Sequence, residues 1–431
     1  MRVVIMAGGK GTRVESIASD IPKPMIPICG KPVLEHQIDC LKSNGLTDIT
    51  VVIGHLGHKI KEYFGNGGNF GCKISYFTET EPLGTAGALF KINDLPDDFI
   101  LINGDIIFDL DFYRVINFHI QKKALASIIV HPNSHPFDSA LIETNNNDQV
   151  TGWLNKEDNR KYYKNLVNAG IHIISRTLLA NNAQTKEKVD LDRDLLKPSI
   201  QTGSIFAYQT PEYIKDMGVP ERIAQVSFDI EKGVVKEKNL RTKQKCVFLD
   251  RDGTINKFNG FVKRTEDFEL IDGVAEAINK LNASGYLVIV ITNQPVVARG
   301  EVEIETLNLI HMKMETDLGN NHAYIDDLFY CPHHPDKGFP GEKPEYKIDC
   351  TCRKPKPGMI LAAAEKYNID LSNSYMVGDD IRDVKAGIAA GCIPVLLTEK
   401  SKETVISENG ITVPQFPSLI EFTGCLICPN N

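Results

Sequence analysis

The amino-acid sequence predicts an α/β fold in two domains, and three observations lead to this prediction. The chain has 431 residues, and a single hydrophobic core seldom grows beyond roughly 250–300 residues. Short apolar runs without polar alternation, typical of parallel strands buried on both faces, recur in both halves. Glycine-rich or aspartate-rich stretches directly follow several of these runs, at the strand end where open α/β sheets bind ligands.

Strands and helices alternate in each half. The predicted elements of the first half are a strand over Arg2–Met6, a helix over Val33–Ser43, strands over Ile49–Ile53 and Ile74–Phe77, a helix opened by Pro82–Leu89 and a strand over Phe99–Ile102. Those of the second half are a strand over Cys246–Leu249, a helix over Val274–Ser284 and strands over Tyr286–Ile291 and Tyr375–Val377.

The stretch 231–244 is dense in charge and poor in large apolar side chains. It is typical of a solvated linker between two cores, and a charged terminal helix of the first domain is the alternative. We therefore expect a first domain over 1–230 and a second over 245–400. A tail over 401–431, which contains Cys425 and Cys428, is expected to pack on the second domain.

Composition excludes several classes of protein. The net charge of −8 disfavours nucleic acid as a general partner, and no uncharged apolar run reaches the roughly 18 residues that span a bilayer. The chain enters a strand directly, so no secretory signal is expected, and the ten cysteines then indicate metal ligands or free thiols in a reducing cytoplasm. The sequence leaves the oligomeric state open.

Two carboxylates mark the start of the second domain. Asp250 and Asp252 directly follow the strand Cys246–Leu249, with Gly253 and Thr254 after them. A bare Asp-x-Asp is more often a solvated turn, so the rest of the domain has to decide its role. Thr292 and Asn293 end the next predicted strand, Lys354 lies among prolines at a helix start, and Asp379 follows the strand Tyr375–Val377, with Asp383 one turn later.

In this order and context the four stretches resemble the four motifs of the haloacid dehalogenase superfamily. The resemblance implies that Asp250 attacks phosphorus and that Asp252 protonates the leaving oxygen and then activates water. It implies that Thr292 contacts the bound phosphoryl group and that Lys354 offsets its charge. It also implies an Mg²⁺ ion bound by Asp250, Asp379 and the carbonyl of Asp252.

A cysteine and histidine cluster lies between the second and third of these motifs. Cys331 and His333 form one close pair, Cys350 and Cys352 form another, and a polar loop separates them. Three thiolates and one imidazole make a closed tetrahedral zinc site, with His334 as the alternative nitrogen ligand. Scattered buried cysteines are the simpler interpretation, which this spacing disfavours.

The zinc loop resembles the histidinol-phosphate and heptose-bisphosphate phosphatase branch of the superfamily. Cys331-Pro332-His333-His334 and the run from Cys352 to Met359 are most similar to the heptose-bisphosphate 7-phosphatases. The resemblance implies substrate contacts by Asn293, Arg299 and Arg353. Pro295 and Val296 depart from the Ser-Gly that many relatives carry, which alters the expected substrate loop.

The first half opens with a glycine-rich loop after its first strand. Ala7 to Arg13 is neither a Walker loop nor a Gly-x-Gly-x-x-Gly fingerprint. Backbone N–H groups of such a loop can approach phosphate oxygens, although a sharp strand–helix turn is the simpler interpretation. Lys23 follows, fixed between two prolines.

The loop and Lys23 together resemble the signature of the sugar-phosphate nucleotidyltransferases. The resemblance covers roughly residues 1–228 and implies a Rossmann-like, GT-A-like sheet. It implies that Gly8, Gly9, Gly11 and Thr12 wrap the triphosphate, that Arg13 and Lys23 offset charge, that Gly84 and Thr85 contact the base, and that Asn168 and Gly170 contact the sugar.

The same resemblance implies a magnesium site. Asp105 follows the predicted strand Phe99–Ile102, and an aspartate there suits Mg²⁺ bound by few protein ligands, although it could be a simple turn residue. In the family a second metal ligand comes from a late Asp-x-Gly segment, here Asp216. The segments around Lys23 and Asp216 look most similar to the branch that makes GDP-heptose, with mannose-1-phosphate guanylyltransferases as near neighbours.

The two resemblances predict consecutive reactions. Removing the 7-phosphate from D-glycero-D-manno-heptose 1,7-bisphosphate leaves a sugar 1-phosphate, which is the substrate that the first half needs together with GTP. The alternatives are a mannose-1-phosphate guanylyltransferase fused to a histidinol-phosphate-type phosphatase, a sugar-nucleotide sensor with one inactive half, and a phosphatase of nucleic-acid ends, which the acidic charge disfavours.

Overall fold

The computed structural model describes residues 1–9, 20–182, 187–398, 405–406 and 410–427 of the chain. The chain divides into two compact units, as the two-domain α/β prediction requires. The first comprises Met1–His131, Ile142–Asn155 and Val167–Asn239, and the second comprises Pro132–Leu141, Lys156–Leu166 and Leu240–Asn431.

The first unit is a mixed α/β structure. Its strands are β1 (Arg2–Ala7), β2 (Pro27–Ile28), β3 (Lys31–Pro32), β4 (Asp48–Ile53), β5 (Lys73–Thr78), β6 (Asp98–Asn103), β7 (Ile106–Asp109), β8 (Ala126–His131), β9 (Leu141–Thr144), β10 (Val150–Leu154), β11 (Val167–Ser175), β12 (Ile205–Gln209) and β13 (Tyr213–Asp216). Its helices are α1 (Val33–Ser43), α2 (Gly57–Phe64), α3 (Phe112–Lys122), α4 (Arg176–Asn181), α5 (Lys197–Ser199), α6 (Pro220–Glu231) and α7 (Val234–Glu237).

Among the described residues, nine strands of this unit form one sheet. Seven follow the order β10-β9-β11-β6-β1-β4-β5, and β8 pairs with both β11 and β12. β1 is central and parallel to β4 and β6, with Val4 opposite Thr50 and Leu101. Because β1 and β6 run in the same direction, the loops that follow them meet at one edge of the sheet.

One predicted helix of this unit is wrong. The helical structure in Pro82–Leu89 is limited to the first residues of a short 3-10 helix, Gly87–Phe90. Its backbone instead exchanges hydrogen bonds with a distant segment, since Ala86 N donates to Val189 O at 3.0 Å and Val189 N donates to Leu83 O at 2.9 Å. Extended pairing with residues about a hundred positions away in sequence competes with local helix formation, and the sequence pattern could not reveal it.

The second unit contains the remaining elements. Its strands are β14 (Cys246–Leu249), β15 (Leu287–Asn293), β16 (Asp327–Cys331), β17 (Tyr375–Gly378), β18 (Ile393–Leu397), β19 (Val405–Ile406), β20 (Thr412–Val413) and β21 (Gln415–Phe416). Its helices are α8 (Val274–Ala283), α9 (Ile304–Asn320), α10 (Gly358–Tyr367), α11 (Ile381–Ala390) and α12 (Leu419–Ile427).

In the described part of this unit, six strands form a parallel sheet in the order β16-β15-β14-β17-β18-β21. β14 lies between β15 and β17, so the loops after these three strands converge at the carboxyl edge where the strand order reverses, the usual ligand site of such sheets. The tail contributes β21 to the sheet and Leu419 and Phe422 to the core.

Two segments from the N-terminal half of the sequence complete the second unit. In the segment Lys156–Leu166, Tyr163 N donates to Thr316 Oγ1 at 2.9 Å and Asn165 N donates to Glu315 Oε2 at 2.7 Å, both on α9. A Cβ at Gly319, one turn further along α9, would lie 2.8 Å from Pro136 of the other segment. The second unit is therefore assembled from three stretches of the chain.

The stretch 231–244, expected to be solvated, is partly buried. It contains α7, whose Val235 joins the apolar cluster around Ile26 and Met217 of the first unit. Leu240 is buried in the core of the second unit. The change of unit occurs between Asn239 and Leu240. Val235 and Leu240, two apolar side chains among the charged ones, thus pack into the cores of the first and the second unit respectively.

None of the helices in the described ranges has the length and apolar character needed to cross a membrane.

Candidate active sites

The loop after β14 brings the first two carboxylates of the second unit to the sheet edge. Asp250 N donates to Val377 O of β17 at 3.0 Å, which holds the loop against the neighbouring strand. Gly253 has a φ of +80°, and a Cβ there would collide with the Asp379 carboxylate. A glycine is therefore required at this position, because the chain turns in the left-handed region and passes close to Asp379.

Lys354 is the central cation of this site. Its side chain is only 3% exposed, and Nζ lies 2.8 Å from Asp250 Oδ1 and 2.6 Å from Asp383 Oδ1. Burial alone would lower the pKa of Lys354, but the two carboxylates raise it above its ordinary value. Lys354 is therefore held as a charged ammonium group at the carboxyl edge.

The two carboxylates beside Lys354 have separate further contacts. Asp250 Oδ1 also accepts the Arg251 N–H at 2.7 Å, whereas Oδ2 accepts no hydrogen bond from any described residue. Asp383 Oδ2 accepts the N–H of Asp380 at 3.1 Å, in the capping box that starts α11. Burial raises the pKa of Asp250 to about 6 while Lys354 opposes the rise. One oxygen of Asp250 is thus fixed and the other is open to the cleft.

Two residues that the sequence analysis did not single out hold Asp252. The Arg251 guanidinium is fully buried and donates through Nη2 to Asp252 Oδ1 at 2.8 Å. Gln294 Nε2 donates to Asp252 Oδ2 at 2.9 Å and to Thr292 Oγ1 at 2.9 Å. In the sequence, only their positions directly beside predicted site residues point to Arg251 and Gln294. No local sequence pattern shows that their side chains turn inward to Asp252.

The three predicted substrate-binding residues are placed differently from one another. Asn293 exchanges two hydrogen bonds of 3.0 Å with the backbone of Lys354, so its amide positions that loop. Arg353 lines the same cleft as Asp250 and donates to His333 O at 3.1 Å. Arg299 lies between the rings of Phe261 and Phe339, with its guanidinium carbon 5.0 and 4.6 Å from their centroids.

A cluster of three carboxylates in the cleft could bind a hard divalent cation. Asp250, Asp379 and Asp383 each offer an oxygen, and these atoms lie within 4.8 Å of one another. Burial raises the pKa of Asp379 to about 6, and the neighbouring Asp250 contributes to the rise. An oxygen donor set of this kind, with concentrated negative charge, suits Mg²⁺. Asp383, expected only as a motif residue, belongs to the group, while the Asp252 carboxylate points to Arg251.

The predicted cysteine and histidine cluster is assembled. The sulfur atoms of Cys331, Cys350 and Cys352 are 3.1–3.4 Å apart, and His333 Nδ1 lies 3.4 Å from the Cys352 sulfur. These sulfurs are too far apart for disulfides, whose bond is about 2.05 Å. Their spacing is close to the roughly 3.8 Å expected for tetrahedral ligands about 2.3 Å from a metal. His333, not the alternative His334, completes the group.

Thiolate chemistry in this cluster also favours a metal. The hydrogen bond between the sulfur atoms of Cys352 and Cys331 lowers the pKa of Cys352 to about 5. The thiolate is the form of cysteine that binds a metal. Four soft or borderline donors, from the end of β16 and the segment that follows it, therefore form a group that could hold a metal ion.

In the first unit, strand pairing brings Asp105 and Asp216 together. β7 and β13 are antiparallel, with Asp216 opposite Ile106, so Asp216 lies beside the residue that follows Asp105. Met217 N donates to Asp105 O at 2.8 Å. Lys23 Nζ lies 3.4 Å from Asp105 Oδ2. Asp216 itself forms an ion pair with Arg222, a partner that the sequence analysis did not identify.

The glycine-rich loop from Ala7 to Arg13 is described only at its start. Gly8 and Gly9 follow β1, and a Cβ at Gly8 would collide with the Glu79 carboxylate, so a side chain there would displace the end of Glu79. Gly11, Thr12 and Arg13 lie outside the described residues.

The remaining predicted contacts of the first unit lie on the extended segments around its sheet. Thr85 Oγ1 accepts the Leu191 N–H at 2.7 Å, next to Gly84, whose φ is +86°. Gly170 N donates to Asn168 Oδ1 at 3.1 Å in an irregular part of β11. A Cβ at Gly170 would press on the side chain of Asn103, the last residue of β6, two positions before Asp105.

Comparison with known proteins gives a family match for each of the two units. Residues 2–233 match the nucleotidyl transferase family, and residues 137–391 match the haloacid dehalogenase-like hydrolase family. The D-glycero-beta-D-manno-heptose-1,7-bisphosphate 7-phosphatase of Vibrio cholerae is 43% identical over 165 residues, which are 38% of this chain and 86% of that protein. The protein of the same name from Escherichia coli K12 is 42% identical over 160 residues, 36% of this chain and 80% of that protein. The crystal structure of HddC from Yersinia pseudotuberculosis is 27% identical, covers 53% of this chain and 99% of that chain, and has a TM-score of 0.47.

Each family match spans more than half of the sequence, and each includes the motifs of one carboxyl-edge site. The chain therefore belongs to the nucleotidyl transferase family and to the haloacid dehalogenase-like hydrolase family, and it combines a transferase and a phosphomonoesterase in one polypeptide.

Proposed function

We propose that the chain catalyses two consecutive steps in the synthesis of a nucleotide-activated heptose. The second unit removes the 7-phosphate from D-glycero-D-manno-heptose 1,7-bisphosphate. The first unit transfers GMP from GTP to the resulting heptose 1-phosphate and releases pyrophosphate. The observation that carries the proposal is the cleft in which buried Lys354 contacts Asp250 and Asp383. The phosphatases named after this bisphosphate, of which the matched region spans 80–86%, support the choice of substrate.

In the phosphatase step, Asp250 is the nucleophile. Its free Oδ2 attacks the phosphorus, the bond from phosphorus to the sugar oxygen breaks, and Asp252 donates a proton to that oxygen. Water then attacks the aspartyl phosphate while Asp252 accepts its proton, which releases inorganic phosphate and restores Asp250. Lys354 and the hydroxyl of Thr292 stabilise the negative charge on the phosphoryl oxygens. For these proton transfers the Asp252 carboxylate has to leave its contact with Arg251.

The proposal places two metal ions in the second unit, one in the phosphatase site and one in the cysteine and histidine cluster. In the second unit Asp250, Asp379 and the Asp252 carbonyl hold Mg²⁺, which supplies charge neutralisation for the phosphoryl group. The group of Cys331, His333, Cys350 and Cys352 holds a structural Zn²⁺.

In the transferase step, an oxygen of heptose 1-phosphate attacks the α-phosphorus of GTP, and pyrophosphate is the leaving group. Both reactants are anionic and repel each other, so the site must supply positive charge. Asp105 and Asp216 hold Mg²⁺ for this purpose, and Lys23 and Arg13 supply the remaining positive charge. The ladder of β7 and β13 supports the convergence of the two aspartates. The choice of guanine rests on the resemblance of the motifs.

The test is a coupled assay with heptose 1,7-bisphosphate, GTP and Mg²⁺ that follows phosphate, pyrophosphate and GDP-heptose. We expect phosphate to appear first and pyrophosphate release to depend on it. Histidinol phosphate and mannose 1-phosphate, each offered in parallel, are expected to be poor substrates. Faster turnover of either compound than of the heptose phosphates would refute the substrate assignment.

Matched variants assign each reaction to its unit. Asp250→Asn removes the nucleophile and should abolish phosphate release, but leave nucleotide transfer to supplied heptose 1-phosphate intact. Asp105→Ala should do the reverse. Loss of both activities in either variant, with the fold preserved by circular dichroism, would contradict independent sites.

A further inference from the structure

The active-site cleft of the second unit contains one more arginine than the proposed reaction uses. Arg382, on the first turn of α11, lines the cleft together with Asp250, Asp379 and Arg353. It has no role in the phosphatase motifs or in the proposed metal sites. Its side chain is 52% exposed, so it borders both the cleft and solvent.

The guanidinium of Arg382 is oriented by Asp380. Arg382 Nε donates to Asp380 Oδ1 at 2.8 Å and Nη2 donates to Asp380 Oδ2 at 2.9 Å. This two-pronged contact fixes the plane of the fork. The remaining nitrogen, Nη1, donates to no group in the part of the chain that the structure describes.

A second cation lies in the same cleft without a carboxylate partner. Arg353 pairs with no acidic side chain among the described residues, and its Nη1 donates only to the carbonyl of His333. Arg353 and Arg382 both line this cleft. Lys354, in contrast, contacts Asp250 and Asp383 and serves the reacting phosphoryl group in the proposed mechanism. Arg353 and the Nη1 side of the Arg382 guanidinium are thus available to bind an anion that is not the reacting phosphoryl group.

We propose that Arg382, fixed by Asp380, acts with Arg353 to bind the phosphate of the substrate that is not hydrolysed. Arg382 is then a specificity-determining residue that selects sugar bisphosphates over monophosphates. This inference rests on the proposed phosphatase function and names the part of the cleft that recognises the second anionic group. Arginine suits this task because its planar fork binds phosphate oxygens through two hydrogen bonds.

The test compares Arg382→Gln, Arg382→Lys and wild type on heptose 1,7-bisphosphate and on heptose 7-phosphate, which lacks the second phosphate. For the bisphosphate, we expect the glutamine variant to raise KM about 10- to 100-fold with kcat changed only a few-fold, because a charged hydrogen bond is lost. For the monophosphate, both parameters should stay near the wild-type values. The lysine variant should recover part of the loss, since it retains the charge but not the fork.

Arg264→Gln is the matched control. Arg264 forms an ion pair with Asp267 at 2.8 Å and is 72% exposed, and it does not line the cleft. A purely structural role of the Arg382–Asp380 pair would lower the melting temperature and affect both substrates alike.

The inference is overturned if wild type shows no preference for the bisphosphate, or if Arg382→Gln keeps that preference. If wild type hydrolyses neither heptose phosphate, the proposed function has failed. The role of Arg382 is then decided by the same ratio, measured with fructose 1,6-bisphosphate and fructose 6-phosphate.

Discussion

Replacing Lys354 by methionine removes the only cation in direct contact with Asp250 and Asp383, within the described part of the site, while keeping a side chain of similar length. In wild type, Nζ lies 2.8 and 2.6 Å from their carboxylates and is 3% exposed. The variant leaves Asp250, Asp379 and Asp383 within 4.8 Å of one another without that ammonium group. Removing one partner of a buried ion pair costs about 3–5 kcal/mol, and we expect a loss of unfolding free energy of that size.

The assay is urea-dependent labelling of Cys246 by a thiol reagent, read by mass spectrometry. Cys246 is fully buried in β14, so its labelling reports the opening of the second unit. Lys356→Met is the matched control, because Lys356 is 43% exposed and pairs with Asp349 at the surface. Such surface pairs contribute less than about 1 kcal/mol.

Magnesium adds a second measurement on the same variant. A divalent cation held by Asp250, Asp379 and the Asp252 carbonyl stabilises the folded state by mass action, and more so where Lys354 no longer offsets the charge of the neighbouring carboxylates. We expect Mg²⁺ to stabilise Lys354→Met more than wild type, without restoring phosphatase activity. An unfolding free energy of Lys354→Met within about 1 kcal/mol of wild type would refute the account of Lys354 as the central buried cation.

Three further predictions concern other sites. Cys350→Ser should remove bound zinc, measured by elemental analysis, and destabilise the second unit, whereas exposed Cys425→Ser should do neither. Asp105→Ala and Asp216→Ala should each lower pyrophosphate release by orders of magnitude at saturating substrates, and near-normal turnover would reduce that residue to a turn aspartate. Burial raises the pKa of Glu315 from 4.5 to about 7, so the stability linked to its protonation is present below about pH 4.5 and is lost as the pH rises through 7. This loss of unfolding free energy amounts to about 3 kcal/mol. Urea titrations of Glu315→Gln at several pH values should no longer show this dependence of the unfolding free energy on pH. An unchanged dependence would show that Glu315 is not its source.

Local patterns in the sequence predicted many of the helices and strands and the residue types of the candidate sites. The helix Val33–Ser43 and the strand Cys246–Leu249 have the predicted bounds. Both signals are local, since apolar periodicity depends only on residues within a few positions of one another. The cysteine and histidine cluster could also be predicted from the sequence, because its residues form two close pairs and such pairs are typical of metal sites.

Tertiary structure alone decided which distant residues meet. No local pattern predicts the register that places Asp216 opposite Ile106, or the burial of Arg251 against Asp252. The same holds for the hydrogen bonds from Tyr163 and Asn165 to α9. Pro82–Leu89 failed as a helix for the same reason, since its backbone found partners near Val189. Each of these contacts depends on the packing of whole elements, and local propensity is too weak to oppose the hydrogen bonds and burial that such packing provides.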